Sequence, residues 1–390
     1  MRTVLISGAS VAGPALAYWL HRRGLRPTVV ERAPAPRPGG QAVDIRGTAR
    51  EVIARMDLLD AVRAAHTGVR GTAFVDATGR RTSAMAADAL GDSGGVIAEF
   101  EILRGDLVRI LNDANDGVEH LFGDTVTSLT DTGDRVRATF ERGPTREFDL
   151  VVGADGLHST VRSLAFGPER DFTRDLGASV AIFTTGPMAG DWQLMHSTVG
   201  RTAGLYPTPG AAKAMFLFQA DEGVADPRRA VKEAFAGVGW EVPRLLSEVD
   251  GAEDFYADRL CQVRMSSWSR GRIALLGDAA FCASPLAGNG TSLALVGAYV
   301  LARELAATTD HRVAFARYEE AMREYVDRCQ KFALSGVDSM LPKSRMFIRM
   351  RDVFLRVMPH LPGAARLFGD LQRIANTVVL EERQNTLTSS

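Results

Sequence analysis

The first thirty residues contain the feature that most constrains the fold, a strand, a tight turn, a helix and a second strand. Residues 3–6 are a short aliphatic run, which is typical of a strand buried on both faces. The small residues 8–13 predict a turn, Pro14 suits the first turn of a helix, and Gly24 ends that helix. Residues 27–31 then predict the next strand. The opening is therefore a βαβ unit.

The turn is a variant of the glycine fingerprint that holds a dinucleotide. Gly8 permits a tight turn, Ser10 is small enough for the backbone to approach a pyrophosphate, and Gly13 permits close packing of helix on strand. The helix N-terminus attracts phosphate, and Glu31 ends the second strand where an acid binds a ribose hydroxyl. This unit alone does not distinguish NAD from FAD. Its predicted nucleotide contacts are Gly8, Ser10, Ala12, Gly13, Glu31 and Arg32.

Two later segments have the same strand–turn–helix form. The first is Gly153-Ala154-Asp155-Gly156, with Arg162 just inside the helix that follows. The second begins with Gly277-Asp278 after a buried strand at 272–276 and continues to Pro285-Leu286-Ala287-Gly288-Asn289-Gly290. An acid at a strand end can bind sugar hydroxyls, and a glycine-rich helix start offers N–H groups to an electron-rich ring.

In this order and spacing, the three motifs resemble the class A FAD-dependent aromatic hydroxylases and monooxygenases, which share the para-hydroxybenzoate hydroxylase fold. The likeness runs from residue 4 to about residue 300, and the chain length matches the compact branch of tetracycline-inactivating monooxygenases and polyketide-tailoring hydroxylases. Two departures are Ser10, where the family has glycine, and Phe281, where many members have histidine.

The resemblance implies a role for each matching position. Glu31 would bind the adenosine ribose, Arg104 the diphosphate region, and Asp278 the ribityl and phosphate part of FAD. Asp155 would serve both FAD and NAD(P)H. The remaining predicted cofactor contacts are Asp44 and Arg46 near the flavin ring, Gly277, Pro285, and Gly288, Asn289 and Gly290 beside the isoalloxazine, with Arg37 toward NAD(P)H.

The expected fold is α/β, with a Rossmann-like FAD-binding domain, a second and mostly antiparallel-sheet substrate domain, and a long C-terminal helix for which residues 342–382 are the candidate. The two domains are expected to interleave along the chain. The FAD-binding domain is predicted at 1–70, 101–170 and 271–330, the substrate domain at 71–100 and 171–270, and a C-terminal helical segment at 331–390. A strand is expected at 96–100.

The function implied by the resemblance is oxygenation of an aromatic or polycyclic small molecule, with polyketides and antibiotics as candidates, by means of NAD(P)H, O2 and a flavin C4a-hydroperoxide. Alternatives on the same fold are a flavin dehydrogenase or reductase and a halogenase. The halogenase is disfavoured because tryptophan-type halogenases carry a Trp-x-Trp-x-Ile-Pro signature, whereas the four tryptophans here are isolated. A non-catalytic nucleotide-binding regulator is an alternative of another class. No catalytic residue is assigned. The substrate pocket candidates are Phe183, Trp192, His196, Tyr206 and Phe216.

Composition excludes several other classes. The net charge of −1 gives no electrostatic reason to expect nucleic acid or an anionic membrane. Three widely spaced cysteines and no metal-ligand spacing argue against a disulfide framework or a metal site and favour the cytoplasm. A monomer or weak dimer is expected.

Overall fold

The computed structural model describes residues 2–36, 40–87, 100–219, 226–358 and 373–380. Its strands are β1 Thr3–Ser7, β2 Arg26–Glu31, β3 Ala42–Asp44, β4 Gly71–Val75, β5 Arg81–Ala86, β6 Glu101–Leu103, β7 Glu119–Phe122, β8 Val126–Asp131, β9 Val136–Phe140, β10 Arg146–Phe148, β11 Leu150–Gly153, β12 Thr173–Thr185, β13 Trp192–Thr198, β14 Arg201–Thr208, β15 Ala211–Phe218, β16 Tyr256–Val263, β17 Ser269–Arg270 and β18 Ile273–Leu275.

The α-helices of the described residues are α1 Ala12–Arg22, α2 Thr48–Arg55, α3 Leu59–Ala64, α4 Arg104–Asp113, α5 Thr160–Ala165, α6 Pro227–Phe235, α7 Val242–Glu248, α8 Asp278–Phe281, α9 Gly290–Ala307, α10 His311–Met340 and α11 Arg345–Val357. Short 3-10 turns lie at Glu169–Asp171 and Pro285–Ala287. Among the described residues, no helix combines the length and apolar character needed to cross a membrane.

A six-stranded sheet forms the first layer, in the order β17-β18-β11-β1-β2-β7. All neighbouring pairs in it are parallel except β17 with β18. Its central strands are buried on both faces because helices cover them, which explains their unbroken aliphatic runs. The predicted βαβ opening and Rossmann-like sheet are confirmed.

A seven-stranded sheet forms the second unit, in the order β16-β12-β15-β14-β13-β4-β5. Its neighbours pair antiparallel except β13 with β4. The mostly antiparallel second domain is therefore confirmed. Strands β4 and β5 come from the first quarter of the chain, so the chain enters this sheet early and returns to it later.

The long helix lies earlier in the chain than expected. It is α10, which ends at Met340, whereas residues 342–358 supply only the shorter α11. Helix α10 packs its first half into the core of the six-stranded sheet, through Phe315 and Tyr325, and its end against the seven-stranded sheet, through Val337. Proline and serine at 342–344 end its amphipathic pattern, which is why α10 does not continue into α11. The strand expected at 96–100 falls mostly outside the described residues, and the nearest described strand is β6.

Candidate active site between the two sheets

The parallel register brings the three turn motifs to one edge of the six-stranded sheet. Ser7 on β1 lies beside Gly153 on β11, which lies beside Leu275 on β18. The segments that follow these three strands therefore leave the sheet side by side. This carboxyl edge is where open α/β sheets bind ligands.

The first turn has no room for side chains at its two glycines. Gly8 adopts φ +107°, and a Cβ placed there would lie 2.4 Å from the carbonyl oxygen of Ala154. A Cβ on Gly13 would lie 1.8 Å from the Gly8 carbonyl oxygen. Helix α1 then begins without a side-chain cap and without an acidic residue in its first turn. Its free N–H groups and positive dipole end favour an anion. Ser10 is exposed beside them and Ala12 is buried.

Glu31 fastens this turn to the end of β2. Its carboxylate accepts the backbone N–H of Ala9 at 2.8 Å and that of Ala33 at 2.9 Å. Arg32, the next residue, is exposed. The ribose contact proposed for Glu31 would use the same carboxylate that orders the turn.

The second motif is organised by its acid. Asp155 accepts the Ser159 hydroxyl at 2.5 Å and the Val161 N–H at 3.1 Å, so it shapes the start of α5. Burial raises the pKa of its carboxyl. Arg162 is fully buried and donates to the Leu157 carbonyl at 2.5 Å and to the Ala279 carbonyl at 3.0 Å. The arginine of the second motif thereby ties it to the third.

The third motif combines an acid with a glycine loop. Asp278 follows Gly277, which adopts φ +66°, and it begins α8 at the sheet edge. Gly288 adopts a left-handed conformation at φ +62°. The Cβ position of Gly290, the first residue of α9, lies 3.9 Å from Oδ1 of Asp278. Pro285 opens the 3-10 turn that leads into this loop.

Asn289, between the two loop glycines, is a buried polar residue whose bonding is incomplete. Its amide donates to the Ala287 carbonyl at 2.9 Å, but its Oδ1 has no hydrogen-bond partner among the described residues. A buried polar atom without a partner is costly, so this position is suited to a ligand donor.

Strands β3 and β6 form a separate two-stranded ladder that carries charged groups beside the glycine loop. Asp44 pairs with Arg46 at 2.7 Å, and the Cβ position of Gly288 lies 3.9 Å from Oδ2 of Asp44. Burial raises the pKa of the Asp278 carboxyl, and the nearby positive charge of Arg104, which begins α4, opposes this rise. The structure thus brings the predicted Asp44, Arg46, Arg104 and Asp278 together. Arg37 lies outside the described residues.

Sequence reasoning missed Glu101, which lies opposite Asp44 in this ladder. Burial, and then the nearby charge of Asp44, raise the pKa of Glu101 to about 7, against the opposing effects of the Thr67 hydrogen bond and of Arg46. A lone glutamate in a three-residue strand has no sequence signal. Only the pairing of the two strands reveals it.

The two faces of the seven-stranded sheet have different surroundings. We call the inner face the one that carries Gln193, Met195, Tyr206 and Met215. This face contacts Leu286, which precedes the Gly288–Gly290 loop, and the end of α10. We call the outer face the one covered by α6 and α7.

Four of the five predicted pocket residues, Phe183, Trp192, His196 and Phe216, lie on the outer face. Phe183 and Phe216 are fully buried in the core that α6 and α7 cover. His196 packs against Trp240 with its Nδ1 2.9 Å from the Val75 carbonyl oxygen. Trp192 has the same parity as His196 along β13. Successive strand residues point to opposite faces, and the sequence did not give the parity of these strands.

Tyr206 is the one pocket candidate on the inner face. Its hydroxyl donates to Sδ of Met215 at 2.7 Å. Burial, and then the charge of Glu101, raise the pKa of this phenol, and a hydrogen bond with Gln193 opposes them. Tyr206, Gln193 and Glu101 therefore lie near one another between the two sheets.

The residues of this edge fit an FAD molecule. The first turn leaves a side-chain-free approach, α1 and α9 both begin without a side-chain cap, and Asn289 has an unpaired oxygen. Side chains cap α5, α6, α10 and α11, whereas α2, α3, α4, α7 and α8 also begin without a side-chain cap. Bare helix ends at a sheet edge suit a diphosphate and a flavin ring. Within the described residues, no group of three histidine, cysteine or acidic side chains could hold a metal ion.

Comparison with known proteins agrees with this geometry. Residues 1–337 match the FAD binding domain family. An uncharacterised protein of Mycobacterium tuberculosis (strain H37Rv) is 46% identical over 356 residues, which cover 88% of this chain and 95% of that protein. A flavin-dependent monooxygenase of Legionella longbeachae is 36% identical over 356 residues, which cover 88% of this chain and 90% of that protein.

Solved structures show the same architecture over nearly the whole chain. The tetracycline destructase Tet(55) superimposes with a TM-score of 0.85 at 34% identity and covers 98% of this chain and 99% of its own. Klebsiella pneumoniae HpxO complexed with FAD and uric acid superimposes with a TM-score of 0.79 and covers 97% of each chain, and at 22% identity it supports the fold alone. The chain therefore belongs to the FAD binding domain family and is a class A FAD-dependent monooxygenase.

Proposed function

We propose that this protein uses NAD(P)H and O2 to oxygenate an aromatic or polycyclic small molecule bound between the glycine loop and the inner face of the seven-stranded sheet. The observation that carries this proposal is that Leu286, which precedes the glycine loop, and Tyr206 of the inner face pack against the same apolar cluster. Asp44 and Glu101 lie beside it. Tetracycline is the first compound to test, because Tet(55) is a tetracycline destructase by name.

Each group of proposed cofactor contacts would bind a different part of FAD. The backbone of residues 8–13 and the start of α1 would hold the diphosphate, with Arg104 nearby. Asp278 would bind the ribityl hydroxyls. The loop Gly288–Gly290 would lie against the flavin ring, where the partnerless oxygen of Asn289 supports a hydrogen bond to a ring N–H.

When bound, FAD supplies the redox chemistry, accepting hydride and activating oxygen. The protein must position the substrate and keep water away. Met195, Met215 and Leu217 give the inner face a soft apolar surface, and Gln193 and Tyr206 give it polar groups. This mixture suits a flat ring system with several hydroxyl or carbonyl groups.

The decisive experiment is oxygenation under labelled oxygen. Purified FAD-loaded protein would be mixed with NADPH or NADH, ¹⁸O₂ and a panel of tetracycline and aromatic polyketides, and products would be analysed by mass spectrometry. The proposal expects one ¹⁸O atom in the product. Reduction of the flavin with release of hydrogen peroxide alone, for every compound, would support a reductase or dehydrogenase instead.

Cofactor binding gives a test that needs no substrate. Asp278→Ala should raise the dissociation constant of FAD by about 10- to 100-fold, because a hydrogen bond to a charged group contributes about 1.5–3 kcal/mol. The matched control is Asp113→Ala at the exposed end of α4, which pairs with Arg109 on the surface. Equal FAD affinity in the two variants would contradict the contact assigned to Asp278.

A further inference from the structure

Glu101 lies in the two-stranded ladder of β3 and β6, near Tyr206 of the inner face. It is paired with Asp44 across the ladder, and its Oε1 accepts the Thr67 hydroxyl at 2.5 Å. Asp44 in turn lies beside the Gly288 loop. On its other side, the carboxyl is close enough to Tyr206 to influence the pKa of that phenol. Glu101 thus lies between the proposed flavin edge and the proposed substrate surface.

The charged and titratable groups around Glu101 come from each element packed on it. Asp44 at the end of β3 and Arg46 just after it lie near Glu101, and Tyr206 lies near it from β14. Arg50 and Arg63 lie over the ring of the preceding residue, Phe100. Arg46 forms an ion pair with Asp44, and its charge lowers the pKa of Glu101 by less than burial and Asp44 raise it.

We propose that Glu101 is the acid–base group of the reaction and that the substrate carries an acidic hydroxyl, a phenol or an enol, which Glu101 deprotonates. This rests on the proposed function. The O–H bond of the substrate breaks, its electron pair stays on the substrate oxygen, and a new O–H bond forms on the carboxylate. The neighbouring ring carbon becomes richer in electrons, which favours transfer of an oxygen atom to it. The proton returns to the same oxygen when the ring regains its aromatic or enolic form.

The properties of the neighbours support this assignment. A base works best when its pKa is near the working pH, and Glu101 has a pKa of about 7. Tyr206 has a raised pKa and cannot act as a base near neutral pH. Asp44 is occupied by Arg46. Of these three groups, Glu101 is therefore the one suited to exchange a proton.

The kinetic test is the pH profile of kcat/KM for the oxygenated substrate. In the wild type it should rise with pH through about 7 as Glu101 loses its proton. Glu101→Gln should abolish this rise and lower kcat by about 100-fold. Glu101→Asp should restore part of the rate with a shifted profile, and Tyr206→Phe should keep the rise. Glu147→Gln, an exposed strand glutamate paired with Arg137, is the control for removal of a surface carboxylate.

A second readout does not depend on turnover. Infrared difference spectra of the FAD-loaded protein should show a protonated carboxyl band appearing when tetracycline binds at a pH above the pKa of Glu101, and Glu101→Gln should lack this band. Product formation by Glu101→Gln with an unchanged pH profile would overturn the assignment while the proposed function stands. If the wild type oxygenates nothing in the panel, the proposed function fails, and the absence of the carboxyl band would then overturn the Glu101 assignment separately.

Discussion

The inner and outer faces of the seven-stranded sheet are built from alternate residues of the same strands, yet their side chains have different surroundings. On β15, Phe216 points outward into a dry core and makes an edge-to-face contact with Phe235 at 4.8 Å. Its neighbour Met215 points inward and accepts the Tyr206 hydroxyl. One face is closed by its own helices, and the other is completed by a different domain. Side-chain parity, rather than residue type, therefore decides which aromatic residues of this sheet can contact a substrate on the inner face.

The largest effect is expected on the free energy of unfolding, from a substitution on the outer face. Phe216→Ala should lower the free energy of unfolding by about 3–5 kcal/mol, because it leaves a cavity among close-packed rings. Urea denaturation measures this. Phe347→Ala, the same change at an exposed position on α11, should stay within about 0.5 kcal/mol. If Phe216→Ala is as stable as the wild type but makes a different product, the assignment of Phe216 to the outer core is contradicted.

An intermediate effect is expected on KM, which should change with a substitution on the inner face but not with one on the outer face. Gln193→Leu removes a buried amide that accepts the Thr72 hydroxyl at 2.9 Å on the inner face, and it should raise KM about tenfold, equivalent to about 1.4 kcal/mol. His196→Leu, three residues along on the outer face, should cost stability but leave KM unchanged. Steady-state kinetics on the two variants tests this, and a KM effect confined to His196→Leu would reverse the assignment of the faces.

The smallest effect concerns the edge of the sheet. His158, in the second motif, lies 2.9 Å from Glu169 and 2.9 Å from Asp258 on β16. Burial lowers the pKa of this histidine, but its bonds to Asp258 and Glu169 outweigh burial, so the pKa is raised above 6.5. The stabilisation is therefore fully present below pH 6.5 and is lost as the pH rises through the folded-state pKa.

Because the side chain is 62% exposed, solvent limits this contribution to a fraction of a kcal/mol. Urea unfolding across this pH range should show a slightly steeper loss of stability in the wild type than in His158→Gln. Identical pH dependence in the two proteins would show that this edge contact is structurally neutral.

The sequence predicted the cofactor edge better than the substrate surface, for physical reasons. Gly8, Asp155 and Asp278 each follow a strand within a few residues, so local patterns and the parallel register suffice to bring them together. The inner face depends on the parity of β13 and β14, and a shift of one residue exchanges the two faces. This is why the sequence could not show that four of the five predicted pocket residues lie on the outer face. Glu101 depends on a pairing between β3 and β6, which are far apart in sequence.

The most direct test of the proposed site is a crystal structure of the FAD complex with tetracycline or whichever panel compound is oxygenated. We expect ligand density between the Gly288–Gly290 loop and the inner face, in contact with Tyr206 and Gln193 and with a hydroxyl near Glu101. Density on the outer face, beside Trp192 and His196, would contradict it.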